Sequence, residues 1–466
     1  MKKLFMFGMI LGLGVLCSSI GFAQPNEDNI VIKFSGLSDT AAWATQVKTR
    51  IENPSNDKTI KSVTLIASEK AKVRSGQLTW TEGDKHEHSI GEDGQTNIKC
   101  TFESPIRPGE YRTLTGTLDL NKSITVAKKD LTSAYDSDAV VPPLTINNTG
   151  KWPKKCMVGY VDLKSDDAVA LINEDQVKKY NVIVFGFTDE HGNLDSTLVE
   201  PMQKIIGMEA EGTINLISIG GEHSKNLEFN EATATNLKSA VLTHHLDGVD
   251  FDVENLGGSA AKDLVDLAIM LRKEFNATPK KDYFITAAPQ LAGNETDPAL
   301  VVAGGGPEWS FFSGVYDAVL VQAYNSGLNF KYHNPMVSDK ALIDESNPDI
   351  VAAAYDGLQK NGFINTKTEI LIGIPCNAGA APSDCNLWNN TKTKEQWDKV
   401  TLEIGHCINA IEKNTHGING SQFGGLMMWS LGNDAFNGTG WEPKPIQNAV
   451  NSDPFYFSDN VAVLIK

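Results

Sequence analysis

Three carboxyl side chains recur at every second position in the segment DFDVE. Side chains alternate between the two faces of an extended strand, so Asp250, Asp252 and Glu254 share one face and the apolar residues between them share the other. We predict that the apolar face packs against helices and that the acids point inward. Carboxyls so close together cannot all ionise at neutral pH, and at least one must have a raised pKa. A carboxyl that stays protonated near neutral pH can act as a general acid.

The elements that position this strand are expected after Cys156. Eight runs rich in Val, Ile and Leu alternate there with helical stretches, and they begin at residues 156, 181, 213, 247, 283, 316, 369 and 423. Near-continuous apolar strands that are covered on both faces form parallel sheets. Eight such strands with intervening helices predict an α/β fold, a closed (β/α)₈ TIM barrel. One helix is predicted from the spacing of Leu264, Leu267, Leu271 and Phe275, with Ser259 as its cap.

Two other interpretations of the acidic segment are a solvated edge strand and a site for a divalent cation. A solvated strand would not alternate with Val249, Phe251 and Val253. A loop that binds a hard cation usually continues into a glycine and a turn rather than a strand. Active sites of these barrels lie at the carboxyl ends of the strands, and Glu254 is the last acid of its strand. We therefore predict Glu254 as the catalytic proton donor.

The rest of the chain divides by composition. We assign a β-rich module to residues 25–132, a Pro- and Asn-rich linker to 133–155, the barrel to 156–450 and a carboxyl-terminal tail to 451–466. Short runs with a period of two and turn-rich gaps predict an all-β immunoglobulin-like sandwich for the module. The module either binds polymer through exposed aromatic side chains or serves as an inert spacer. The candidate aromatic side chains are Trp43 and Trp80.

The first 23 residues resemble a secretory signal peptide. Lys2 and Lys3 precede an apolar run that ends in the small-residue pattern GFA. We therefore expect a secreted protein, and no later segment approaches the roughly 20 apolar residues of a membrane span. The formal net charge is -17, and loss of the two lysines makes it -19. Such a charge argues against nucleic acid or an anionic membrane as partner and favours a neutral substrate.

Cysteine and histidine positions give little further chemistry. Cys376 and Cys385 lie close together in one loop and are the candidate disulfide, although five reduced thiols in the mature chain are an equal alternative. The histidines at 223, 244 and 245 lack metal-ligand spacing, so we expect no metal and no cofactor. We expect a monomer.

The acidic segment DGVDFDVE resembles the DxxDxDxE signature of glycoside hydrolase family 18, the chitinase family. Four further segments resemble motifs of that family in the same order. They are SIGG at residues 218–221, APQ at 288–290, QAYN at 322–325 and MWS at 428–430. Together the motifs cover about residues 156–450 and leave the amino-terminal module unexplained.

The resemblance implies a retaining mechanism in which the substrate supplies the nucleophile. Glu254 would protonate the glycosidic oxygen, and Asp252 would orient the substrate's acetamido group as it attacks the anomeric carbon. Asp250 would tune the charge of Asp252. Tyr324 would hydrogen-bond the acetamido carbonyl.

The resemblance also implies the residues around these groups. Trp429 would form an apolar floor under the sugar, and Tyr160 would form a further wall. The other predicted substrate-binding residues are Gln290, Gln322 and Asn325. Ser218, Gly220 and Gly221 would support the site, and Asp247, of opposite parity, would serve strand entry.

Two departures favour a subgroup within the family. Asn325 follows Tyr324 where many bacterial chitinases have Asp, and residues 375–423 leave too little chain for an α+β insertion. Both features resemble the plant-type and short bacterial subgroup, with a shallow groove that favours endo cleavage. We predict a chitinase. The alternatives are an endo-β-N-acetylglucosaminidase acting on N-glycan cores and a non-catalytic chitin-binding lectin, but such lectins typically lose the acid that Glu254 retains.

Overall fold

The computed structural model describes residues 31–139 and 152–465, apart from internal gaps of one to ten residues. The chain divides into two compact units, residues 1–142 and 143–466. The signal-peptide prediction falls on residues outside the described ranges, and so do Trp43, Trp80 and the cap Ser259.

The first unit is an antiparallel β-sandwich, as the period of two predicts. Its strands are β1 (Val31–Ala41), β2 (Ala44–Glu52), β3 (Lys58–Ala67), β4 (Val73–Thr79), β5 (Lys85–Ile90), β6 (Thr96–Ile106), β7 (Tyr111–Leu120) and β8 (Leu131–Ala139). They form two four-stranded sheets, ordered β1-β2-β7-β4 and β5-β6-β3-β8. Buried side chains from both sheets, including Val47, Leu114, Val63 and Ile98, form one hydrophobic core. The predicted linker boundary is wrong, because β8 occupies residues assigned to the linker and pairs with β3 along its length.

The second unit contains the predicted barrel. Its strands are β9 (Cys156–Asp162), β10 (Val182–Gly186), β11 (Ile214–Gly221), β12 (Gly248–Val253), β13 (Phe284–Ala287), β14 (Gln290–Asn294), β15 (Asp297–Val301), β16 (Ala318–Gln322), β17 (Tyr332–His333), β18 (Leu342–Ile343), β19 (Glu369–Pro375), β20 (Phe423–Trp429), β21 (Gly438–Thr439) and β22 (Glu442–Pro445). Eight of them pair in parallel in the order β13-β12-β11-β10-β9-β20-β19-β16. Pairing of β13 with β16 closes the circle, so the eight-stranded barrel is confirmed.

Helices lie between the barrel strands and after the last of them. They are α1 (Asp166–Val169), α2 (Glu174–Val177), α3 (Val199–Ile206), α4 (Glu231–Thr243), α5 (Ala260–Asn276), α6 (Ile350–Asn361), α7 (Lys394–Glu412), α8 (Leu431–Phe436) and α9 (Tyr456–Asn460). The sequence places their starts: Asn230 caps α4, and Thr393 with Gln396 forms a capping box on α7. α5 coincides with the predicted helix. Within the described ranges, no helix is both long enough and apolar enough to cross a membrane.

The predicted carboxyl-terminal tail is part of the barrel unit rather than a separate segment. Asp434 of α8 accepts hydrogen bonds from the backbone N–H of Phe457, at 3.0 Å, and from the N–H and hydroxyl of Ser458, at 3.2 and 2.5 Å. Phe457 and Ser458 are both fully buried. The prediction of a separate tail was wrong because this segment docks through a hydrogen-bond acceptor, Asp434, that lies in another element.

Candidate active site

The three carboxyls of the acidic segment follow the predicted alternation along β12. Asp250 is fully buried inside the barrel, Asp252 lies nearer the carboxyl end of the strand, and Glu254 follows the last residue of the strand. Val249, Phe251 and Val253 face the opposite way and are also buried. The strand therefore leads from the barrel interior to the rim where barrel enzymes bind substrate.

Asp250 is held by three hydroxyl donors. Its Oδ2 accepts from Tyr160 at 2.8 Å and from Ser218 at 2.7 Å, and its Oδ1 accepts from Thr286 at 2.6 Å. The strand register produces this cluster, because Ser218 on β11 and Thr286 on β13 are the direct partners of Asp250. Burial raises the pKa of Asp250, and the three hydroxyl donors oppose that rise.

Asp252 and Glu254 share one amide donor. Nε2 of Gln322 lies 3.0 Å from Oδ1 of Asp252, 3.3 Å from Oε1 of Glu254 and 2.9 Å from the carbonyl oxygen of Ala288. Gln290 pairs with Gln322 in the sheet and places its own Nε2 3.4 Å from Oε2 of Glu254. Two amides from β14 and β16 thus fix the carboxyls of Asp252 and Glu254 at the cleft.

Burial is the largest cause of a raised pKa at both Asp252 and Glu254. The negative charges of Glu254 and Asp250 raise the pKa of Asp252 further, to well above its ordinary value. A hydrogen bond joins the two carboxyls and couples their titration, so the proton that they share belongs to the pair rather than to one residue. The pair therefore retains one proton under conditions in which isolated carboxyls are ionised.

Aromatic side chains line the space above the carboxyls. Trp429, at the end of β20, stacks against Phe187 with ring centroids 6.2 Å apart. Tyr324 is almost fully buried, and burial together with the charges of Asp252 and Glu254 raises the pKa of its phenol well above the ordinary value. The phenol therefore keeps its proton and can donate a hydrogen bond.

These groups open into one cleft of about 1030 Å³. Its lining includes Asp252, Glu254, Gln322, Tyr324, Asn325, Phe187, Trp429, Gly220, Gly221 and Glu222. A cleft of this size at the carboxyl ends of barrel strands can hold several sugar-sized groups. The carboxyls, the phenol and the tryptophan thus meet where a ligand has access to all of them.

Two predicted substrate-binding residues have other contacts. Tyr160 is not a wall of the cleft: its side chain is 1% exposed, and its hydroxyl donates to Asp250. It also packs beneath Trp429, with ring centroids 5.7 Å apart. Gln290 contacts Glu254 and is not part of the cleft lining. Alternation along a strand predicts which face a side chain occupies but not how deep it lies.

The predicted supporting residues act through the backbone and local hydrogen bonds. Gly220 has φ of 127°, and a Cβ atom at this position would lie 1.8 Å from the carbonyl oxygen of Asp252. Only glycine permits this close approach of β11 to β12. Asp247 lies before β12 and accepts from the backbone N–H of Asn215 at 2.7 Å, which agrees with its predicted role at strand entry.

Cys376 and Cys385 are buried thiols and do not form the predicted disulfide. Their environments differ. Cys376 directly follows β19, and its N–H donates to the carbonyl oxygen of Trp429. The Cys385 side chain hydrogen-bonds Glu345. Proximity in sequence does not bring the two sulfurs together, because each packs against a different part of the barrel.

Three residues that contribute to the site were not predicted from the sequence. Thr286 lies in an apolar strand, Glu222 follows the SIGG segment, and Glu345 lies in a connection without periodicity. The APQ motif begins two residues after Thr286 and marks the carboxyl end of that strand. It was the one sequence signal that could have pointed to Thr286. Glu222 raises the pKa of Glu254 through its charge.

Residues 156–434 match the family model described as Glycosyl hydrolases family 18, which is more than half of the chain. The chain belongs to glycoside hydrolase family 18. The match includes every residue of the acidic cluster, its hydroxyl donors and the aromatic lining. For a member of this family, the row of carboxyls at the cleft is the expected place for chemistry.

Two named relatives align with part of this family 18 chain. A class III chitinase from Arthroderma benhamiae is 27% identical over 193 residues, which cover 41% of this chain and 47% of that protein. Endochitinase 2 from Metarhizium robertsii is 26% identical over 194 residues, which cover 41% of this chain and 38% of that protein. The alignments therefore span less than half the length of either relative.

The chain also aligns with solved structures. The chitinase ChiB from the chitin utilization locus of Flavobacterium johnsoniae has 18% sequence identity and a TM-score of 0.39, over 65% of this chain and 93% of that one.

Proposed function

We propose that this family 18 protein is a chitinase that hydrolyses β-1,4 linkages between N-acetylglucosamine units with retention of configuration. The observation that carries the proposal is the hydrogen-bonded pair of Asp252 and Glu254, with raised pKa values, at the cleft. A protonated carboxyl beside an open cleft is what protonation of a leaving-group oxygen requires.

In the proposed first step, Glu254 transfers its proton to the glycosidic oxygen. The bond from the anomeric carbon to that oxygen breaks, and its electron pair stays on the leaving oxygen. The carbonyl oxygen of the substrate's acetamido group forms the new bond to the anomeric carbon, which gives an oxazolinium ion. Asp252, as a carboxylate, stabilises the positive N–H, and the Tyr324 hydroxyl donates to the acetamido oxygen.

In the second step, a water molecule attacks the same carbon from the face that the leaving group vacated. Glu254, now a carboxylate, accepts a proton from this water. The bond to the acetamido oxygen breaks, and the product keeps the β configuration. Trp429 provides an apolar surface under the sugar during both steps.

The test compares the wild-type chain with Glu254→Gln on N-acetylglucosamine oligomers. We expect the substitution to lower kcat by about 10²- to 10⁴-fold while oligomer binding persists, because a positioned general acid contributes this much. Proton NMR of the first products should show the β anomer. Glu395→Gln, at an exposed position of α7, is the matched control and should keep wild-type rates.

Two results would contradict the proposal. Binding of oligomers by the wild type without any cleavage would indicate a lectin. Cleavage of a high-mannose glycoprotein, with no cleavage of chitin oligomers, would indicate an enzyme for N-glycan cores instead.

We also propose export through the amino-terminal segment, on the strength of its two lysines, apolar run and GFA pattern. Amino-terminal sequencing of protein recovered outside the cytoplasm should begin near residue 24. Recovery of the protein only inside the cell with its first residues intact would contradict this.

A further inference from the structure

The turn that follows β16 has an unusual backbone. Tyr324 and Asn325 lie in this turn, and both line the cleft. Asn325 has φ of 59°, in the left-handed region that residues other than glycine seldom adopt. A backbone in this conformation persists where the surrounding structure holds it. The position of Tyr324 therefore depends on what anchors the turn.

Two neighbouring segments anchor it. The N–H of Asn325 donates to the carbonyl oxygen of Cys385 at 3.3 Å. The next residue, Ser326, donates to Oε2 of Glu345 through both its hydroxyl, at 3.0 Å, and its N–H, at 3.4 Å. Glu345 is thus the side chain that fixes the outer end of the turn.

Glu345 also joins the two anchors to each other. The Cys385 side chain hydrogen-bonds its carboxyl, so the segments around 326, 345 and 385 meet at one group. Glu345 is 5% exposed, and burial raises its pKa to about 7, while the bonds from Ser326 and Cys385 oppose the rise. Its charge also raises the pKa of the Tyr324 phenol, which favours the protonated hydroxyl.

The stability of the fold does not by itself explain why a carboxyl occupies position 345. A buried carboxyl is costly, and a well-packed apolar side chain of similar size is often equal or better for stability. Glu345 does not line the cleft, so direct binding of a ligand does not explain it either. Its described hydrogen bonds go to Ser326, in the turn that carries Tyr324, and to Cys385, in the segment that also anchors that turn.

We propose that Glu345 is a positioning residue that holds the Tyr324–Asn325 turn in the geometry needed for catalysis. This inference rests on the proposed chitinase function. If Tyr324 acts on the reacting acetamido group, a displaced turn weakens an interaction made in the transition state. The loss then falls on kcat more than on KM.

The experiment measures kcat and KM of full-length Glu345→Ala, Glu345→Asp and Glu345→Gln on a soluble N-acetylglucosamine oligomer. Glu345→Ala is expected to lower kcat about tenfold with KM within about threefold of wild type. Glu345→Asp keeps the charge but shortens the reach, and it should lower kcat in the same direction. Glu345→Gln keeps an acceptor oxygen for Ser326 and should restore most of the activity.

Glu209 provides the matched control. Burial raises its pKa to about 7 as well, and it accepts from the Asn215 amide at 2.8 Å. It lies before β11, at the opposite end of the barrel strands from the cleft. Glu209→Ala should therefore lower the Tm without changing kcat.

The outcomes show whether the positioning role of Glu345 fails alone or together with the chitinase proposal. If the wild type cleaves the oligomer and the Ala and Asp variants keep kcat within about twofold, the positioning role is overturned and the chitinase proposal stands. An equal loss of kcat in Glu209→Ala would also overturn it, since the effect would then reflect stability alone. If the wild type cleaves no oligomer, both proposals fail. Should Glu345→Ala not fold, Glu345→Asp decides the matter.

Discussion

Asp250, Asp252 and Glu254 lie on one strand but in three different environments. Asp250 is enclosed by hydroxyl donors, Asp252 hydrogen-bonds Glu254 and is affected by the charge of Asp250, and Glu254 lines the cleft. The pKa of each carboxyl is set by these surroundings rather than by the residue type. A single shared proton at the outer pair is the feature on which the proposed chemistry depends.

The pH dependence of cleavage should respond to Glu222. Its negative charge raises the pKa of Glu254, so Glu222→Gln should lower that pKa. A general acid must be protonated to act, and activity is lost as pH rises through its pKa. We therefore expect the alkaline limb of kcat/KM to move to lower pH in Glu222→Gln. Added salt should shrink the difference, because an exposed charge is screened. A limb that stays in place would contradict this account.

Thr286 should matter for stability as well as for activity. Thr286→Val removes one of the three donors to buried Asp250 at nearly constant volume. Leaving such a group under-satisfied costs about 1–3 kcal/mol, which urea unfolding can measure. Thr213→Val is the control, because its hydroxyl donates to Ala210 in an exposed turn and its loss should cost less than about 0.5 kcal/mol. Equal losses in the two variants would argue against the role of Thr286.

At the scale of elements, a close contact between β11 and β12 fixes the position of the acidic residues on β12. The carbonyl oxygen of Asp252 lies where a side chain at Gly220 would be. Gly220→Ala should therefore push β11 and β12 apart at their carboxyl ends and lower kcat more than about tenfold. Gly212→Ala is the control, because Gly212 also has positive φ, of 89°, but no atom lies within 4 Å of the added carbon. It should lower the Tm slightly and leave kcat unchanged.

The same contacts show how much of the site the sequence could predict. The faces of β12 follow from alternation within one strand, so the placement of its acids was predictable. Thr286 was not, because its contact with Asp250 depends on the register between strands. Tyr160 was placed on the correct strand, but its depth in the barrel was not visible. Glu345, Cys376 and Cys385 lie in connections, where no periodicity relates position in sequence to position in space.

For the whole molecule, each of the two units has its own hydrophobic core. We expect residues 143–466, produced alone, to cleave soluble oligomers with kcat within about twofold of the full chain, because independent cores support independent folding. Binding to insoluble chitin distinguishes the two roles considered for the module. Weaker binding by the shortened protein would favour a polymer-binding module, and equal binding would favour a spacer. An unfolded barrel unit would contradict the division into independent units.

The pairing of β9 with β20 has a consequence for folding kinetics. This pairing sets Cys156 beside Gly425, so the barrel closes between the first and last of its eight strands. Contacts so distant along the chain form slowly, because the entropy of the intervening loop is lost before the contact is gained. The two strands approach closely at Gly425, since an added Cβ atom would lie 2.0 Å from the carbonyl oxygen of Cys156. Until this seam closes, two unpaired strand edges are exposed, and the partly folded chain is open to aggregation at that stage.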